Sequence, residues 1–190
     1  MPVPPFDIHG VIPPFTGPTP IDQSARSPFA VTPTDVVSSL GSTADRLQLL
    51  QNWLTHRSSL RALGIVGFQW LDGSFVENKT PADIDVVTFL RRPTALRSDV
   101  AWQAFVRQNI SLFAQPMVKA ALRLDAYFVE LDGTPETIVN TTSYWFGLFT
   151  HRRPDFMWKG ILKVDLEADP MADHLALVEL LIANAASAGP

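Results

Sequence analysis

Apolar positions follow two different periods along this chain, and the switches between them mark its elements. Thr32-Pro33 reads as an N-cap followed by proline at the first helical position, opening a short helix over about 33–40. Gly41 breaks it, and Ser42 or Thr43 caps the next. Leu47, Leu50, Leu54 and Leu60 then recur at near-helical spacing, predicting a helix over about 43–62 that Gly64 stops. Residues 65–72 and 83–90 are apolar and rich in strand formers, and both predict strands. The segment between them, GSFVENKTPA, predicts a turn or a single helical turn. Val100, Trp102, Phe105, Val106, Ile110 and Phe113 form a broad apolar stripe, predicting a helix over 98–114. Pro116 ends or kinks it, with 117–122 as a continuation. Residues 123–131 and 157–166 predict strands, and 136–149 and 170–187 predict helices. Helices interspersed with strands around one mixed sheet predict a single α/β (α+β) domain over 32–190.

The first 31 residues differ. Nine of the 16 prolines fall within the first 33 residues, which forbids a helix there. Phe6, Ile8, Val11, Ile12, Phe15 and Phe29 are interleaved with them, which is unlike a disordered tail. Residues 1–31 are therefore expected to form an extended arm lying on the domain or on a second copy of the chain.

Composition narrows the classes. The chain has 190 residues, 46% of them hydrophobic and 18% charged, enough for one sizeable core. A formal charge of −4 argues against broad duplex DNA binding. There is no cysteine, so disulfides, thiolate zinc sites and cysteine nucleophiles are absent together. No apolar run approaches the ~20 residues of a membrane span, and the N-terminus has no secretory pattern, so a cytoplasmic location is expected. His9, His56, His151 and His174 are dispersed, with no metal-ligand pair at helical spacing.

The informative stretch is Leu71-Asp72-Gly73-Ser74, eight residues, then Asp83-Ile84-Asp85. On a strand, Asp83 and Asp85 point to the same face with Cα atoms about 6.6 Å apart. Two carboxylates so placed at the entry of an apolar strand suit a hard cation such as Mg²⁺, and would be costly to bury without one. Gly73 permits close backbone approach, and Ser74 and the following amides suit an anion.

These residues resemble the nucleotidyltransferase superfamily, whose motif is a hydrophobic residue, Gly, Gly or Ser, a spacer of roughly ten residues, then Asp-hydrophobic-Asp or Glu. DGSFVENKTPADIDVV fits with a short spacer. More closely, QWLDGSFVENK, PADIDVVTFL, LDAYFV, YWFGLF, KGILKVDL and the Pro-rich arm resemble a poorly characterised family of small bacterial proteins related to nucleotidyltransferases. The resemblance implies a third carboxylate on a later strand, for which Asp125 in RLDAYFV is the candidate. It implies that Asp83, Asp85 and Asp125 hold two Mg²⁺ ions and an NTP, with Asp125 also helping to deprotonate an acceptor hydroxyl. Gly73 and Ser74 would hold the β and γ phosphates. The implied reaction moves an NMP from an NTP to a protein or RNA hydroxyl, and small members of the superfamily often serve toxin–antitoxin or phage-defence systems.

Lys79 and Lys159 are further phosphate-binding candidates, against the plainer readings of a solvated loop lysine and a solvated helix end. Asp72 reads as a turn cap. Trp70, Trp145 and Phe149 are core residues before they are base-stacking ones. The rival from another class is a catalytically inactive protein of the same fold, serving as an interaction or nucleotide-sensing module, with the arm joining a partner or a second copy.

Overall fold

A computed structural model of the chain describes residues 2–166 and 170–187. Thr32 caps the first helix, α1 (Pro33–Leu40), in a full capping box with Asp35 and with Pro33 in the first turn. Thr43 caps α2 (Ala44–Ala62) through the Arg46 amide. The strands β2 (Val66–Asp72) and β3 (Ile84–Arg91) are antiparallel, and a single 3-10 turn over Gly73–Val76 follows β2. Three helices, α3 (Asp99–Gln108), α4 (Ile110–Phe113) and α5 (Gln115–Leu122), lead to β4 (Leu124–Glu130), which lies parallel to β3. The chain continues through α6 (Pro135–Phe149) to β5 (Leu162–Asp165), then α7 (Pro170–Ser187). With β1 (Phe29–Val31) on the outer side of β5, the sheet order is β1-β5-β2-β3-β4. This is the mixed sheet flanked by helices that the sequence predicts.

The sheet is covered on both faces, and strand alternation assigns the residues. Leu71, Ile84, Val86, Leu124, Leu162 and Val164 face a large core shared with α1, α2 and α7. Trp70, Val87, Phe89 and Val129 face the other way, under Trp145 and Phe149 of α6. All three aromatics proposed for either core or stacking, Trp70, Trp145 and Phe149, are buried there.

Three boundaries depart from expectation. The helix over 98–114 breaks at Asn109, whose side-chain amide donates to the Phe105 carbonyl and competes with the helix ladder. The strand expected over 157–166 is only Leu162–Asp165. Its first half is diverted: the Lys159 amide donates to the Thr150 carbonyl and the Gly160 amide to that of Ile12. A Cβ at Gly160 would lie 2.6 Å from the Pro13 carbonyl oxygen, so glycine is required for that approach. Finally, Phe29–Val31 pairs with β5 at the edge of the sheet, so the stretch read as an arm contributes a strand to the domain. Upstream, Val11 and Ile12 are fully buried while Ile8 is fully exposed, so only part of the interleaved apolar set is anchored. Among the described residues, no helix is long and apolar enough to cross a membrane.

One buried ion pair ties α2 to α7. The Arg57 side chain is wholly buried; its Nε donates to Asp173 at 2.8 Å and its guanidinium also donates to the Asp165 carbonyl. Arg61 meets the other Asp173 oxygen at 2.5 Å. Asp173→Ala would leave the buried Arg57 guanidinium without its hydrogen-bonded carboxylate, and is expected to destabilise the fold by about 3–5 kcal/mol. Urea denaturation followed by circular dichroism measures this directly.

Candidate active site

Register and alternation together build the site. Asp72 on β2 pairs directly with Asp85 on β3, and Asp85 pairs directly with Asp125 on β4. Three aspartates thus stand side by side across three neighbouring strands, about 4.8 Å apart in the pairing direction. They lie two residues beyond Trp70, two before Val87 and two before Tyr127, hence on the α6 face. Like charges directly opposite one another on a sheet are destabilising, so the row requires cations.

Lysines stand at both ends of the row. Lys159 is almost wholly buried, with Nζ 3.0 Å from Asp72 Oδ2 and 3.0 Å from the Gly73 carbonyl oxygen. Glu77, also buried, is 3.5 Å from the same Nζ and 2.6 Å from that of Lys79. At the other end, Lys119 on α5 reaches Asp83 Oδ2 at 2.9 Å and Asp125 Oδ2 at 3.0 Å. Gln115, one turn earlier on α5, donates to the other Asp125 oxygen. The middle carboxylate, Asp85, has no ion-pair partner among the described residues.

The titration of these groups follows from the same arrangement. Burial pushes Asp72 up to about 8, with the Lys159 ammonium pulling against it. Burial raises Asp85 as well, reinforced by the charges of Asp83 and Asp125. Burial raises Asp125, but hydrogen bonds from Lys119 and Gln115 outweigh it and hold this carboxyl below its ordinary range. Hydrogen bonds to Asp83 and Asp125 hold Lys119 well above the ordinary lysine value.

Gly73 closes against the row. Its φ is +76°, and a Cβ there would lie 2.0 Å from Asp85 Oδ2. Glycine is therefore required both by conformation and by space. Asp72 makes no side-chain capping bond at this turn; it is buried against Lys159, and its Oδ1 has no hydrogen-bond partner among the described residues. The turn-cap reading of Asp72 and the solvated reading of Lys159 both give way for one reason, that the two side chains are buried against each other inside the protein.

Every residue given a catalytic, metal or phosphate role from the sequence, Gly73, Ser74, Lys79, Asp83, Asp85, Asp125 and Lys159, lines one cavity of about 330 Å³. Asp72, Lys119, His151 and Arg153 line it too. Sequence reasoning missed Lys119, and left Asp72 out of the acidic group. The signal for Asp72 was parity: it falls two residues beyond Trp70 on a strand antiparallel to the one carrying Asp85. Lys119 offered no pattern beyond being the sole charge within the apolar run PMVKAAL.

The donors suit a divalent cation in kind. They are carboxylate oxygens, the hard ligands that Mg²⁺ prefers, and an ammonium already stands between two of them as a substitute cation. Among the described residues no three carboxylate or imidazole groups are gathered closely enough to hold an ion as they stand.

A family profile described as "Family of unknown function (DUF6932)" matches residues 4–165, a span that includes every residue of this cavity. The chain belongs to that family. No curated protein and no solved structure matches it.

The Asp72 shift has a definite sign. The folded protein holds a proton on Asp72 between about pH 4 and 8 that the unfolded chain releases, so this group's contribution to stability falls as pH rises through that window. Asp72→Asn removes the dependence. In metal-free buffer, urea titrations from pH 5 to 8 are expected to show the variant gaining on the wild type by up to about 1.4 kcal/mol per pH unit.

Proposed function

We propose that this protein is a Mg²⁺-dependent nucleotidyltransferase that moves an NMP from an NTP to a protein or RNA hydroxyl. The observation that carries the reading is Gly73 seated against Asp85: a glycine turn with no room for a side chain abuts a carboxylate lacking a cation partner. A short loop joins the Gly73-Ser74 turn to the carboxylates Asp83 and Asp85 in one cavity, as this chemistry needs.

Asp83 and Asp85 would hold Mg²⁺ beside the triphosphate, and Asp125 would complete the set from the neighbouring strand. Bound Mg²⁺ would supply charge neutralisation for the triphosphate and the departing pyrophosphate. Gly73 and Ser74 receive the β and γ phosphates, and Lys159 fixes the turn through the Gly73 carbonyl. Lys79 and Arg153 add positive charge to the cavity wall. The acceptor oxygen attacks the α phosphorus in line, its proton passes to the Asp125 carboxylate, and the bond to pyrophosphate breaks. Positioning and electrostatics carry the rate, since the phosphoryl group itself needs little from the protein. In the cell, modification of a toxin partner or of tRNA fits a small chain of this kind.

A second reading is a nucleotide-sensing module without turnover. The feature favouring it is Asp125, whose bonds to Lys119 and Gln115 make it a weak base.

Calorimetric titration of the four NTPs with Mg²⁺ tests both. One nucleotide is expected to bind only with Mg²⁺, and Asp83→Asn/Asp85→Asn to lose about 100-fold or more in affinity. Incorporation of label from the α-phosphate of that nucleotide into a partner supports transfer; binding without incorporation supports sensing. A folded wild type that binds none of the four contradicts both.

A further inference from the structure

Among the described residues, Lys119 is the one ammonium in the cavity that touches carboxylates assigned to the metal on two different segments. Its Nζ lies 2.9 Å from Asp83 and 3.0 Å from Asp125, while its side chain remains 44% exposed. Those oxygens cannot hold an ammonium and an ion at the same point, so the two compete for one place. The other cavity lysine near the row, Lys159, is different: it is buried and faces Asp72, Glu77 and the Gly73 carbonyl. That ammonium has no room to withdraw, and it stays as a fixed part of the turn.

We propose that Lys119 is the site's resident counter-ion, displaced when a divalent cation enters and taken up by the polyphosphate that arrives with it. This inference rests on the metal-and-nucleotide reading above. Three features support the exchange. Lys119 is carried on α5, a helix of only eight residues that ends at Arg123 in a left-handed conformation, and its long side chain is partly in solvent. It lines the same cavity as Gly73 and Ser74, so a withdrawn ammonium remains within the space a triphosphate would fill. Lys119 contacts Asp83 and Asp125 but makes no ion pair with Asp85 between them, so it satisfies the carboxylates of the cavity only in part. The exchange makes metal and nucleotide bind together: metal alone must expel an ammonium into water, whereas metal with a polyphosphate gives that ammonium a new partner. Such coupling is reciprocal, so the polyphosphate also binds more tightly with metal present.

The test measures Mn²⁺ affinity by electron paramagnetic resonance on the full chain, as wild type, Lys119→Met and Lys119→Arg, with and without inorganic tripolyphosphate. Without tripolyphosphate, Lys119→Met is expected to bind Mn²⁺ at least about tenfold more tightly than wild type, one ammonium's competition being removed. Lys119→Arg, which keeps the charge, is expected to stay near wild type. With saturating tripolyphosphate the gap closes, because the wild-type ammonium then has a phosphate to bind. Added Mn²⁺ should also raise the melting temperature of Lys119→Met more than that of wild type. Equal Mn²⁺ affinity in wild type and Lys119→Met overturns the role of Lys119 and leaves the metal site standing. Absence of Mn²⁺ binding in all three folded proteins, with and without tripolyphosphate, overturns the metal reading and this inference together.

Discussion

Three aspartates in register across the middle of a sheet set the terms for the rest of this molecule. Asp72, Asp85 and Asp125 lie on adjacent strands at one level and on one face. A buried or half-buried row of like charges is stable only beside cations. Lys159 from the segment before β5 and Lys119 from α5 pair with the outer two, while Arg153 and Lys159 act on the middle carboxylate only at longer range. The order β5-β2-β3-β4 brings this about, since each cation arrives from a segment flanking the three central strands.

The hydrophobic architecture holds that row at the mouth of a cavity. One face of the sheet is sealed by α1, α2 and α7 around a large aliphatic core. On the other face, α6 covers the apolar end of the strands through Trp145 and Phe149 and leaves the aspartate end open. The loop after α6 then brings His151, Arg153 and Lys159 back to the cavity wall. Apolar burial thus places the strands, and the polar ends of the same strands become the site. The Pro-rich segment supports this wall: Ile12 is fully buried and accepts the Gly160 amide, beside the turn that carries Lys159.

Much of this was legible in the sequence because its signals are local. Thr32-Pro33 and Thr43 start helices by satisfying nearby amides, and both positions hold. Alternation in DIDVV puts Asp83 and Asp85 on one face at a strand entry, the resemblance adds Asp125, and the three line one cavity. What was not legible depends on pairing between distant segments. Lys159 looks like a solvated lysine until the 158–160 segment is drawn inward by Thr150 and Ile12. Asp72 looks like a turn residue until the β2–β3 register sets it opposite Asp85. Lys119 stands alone in an apolar run, and only the packing of α5 against β4 gives it carboxylate partners. Phe29–Val31 is too short and too flanked by proline to read as a strand without its partner β5.

Anomalous scattering from Mn²⁺, in crystals grown with a non-hydrolysable NTP, locates the ion and the nucleotide together. A manganese peak is expected at coordination distance from Asp83 and Asp85, with the β and γ phosphates against Gly73 and Ser74. A nucleotide-free cavity, or manganese bound away from both aspartates, would contradict the proposed function.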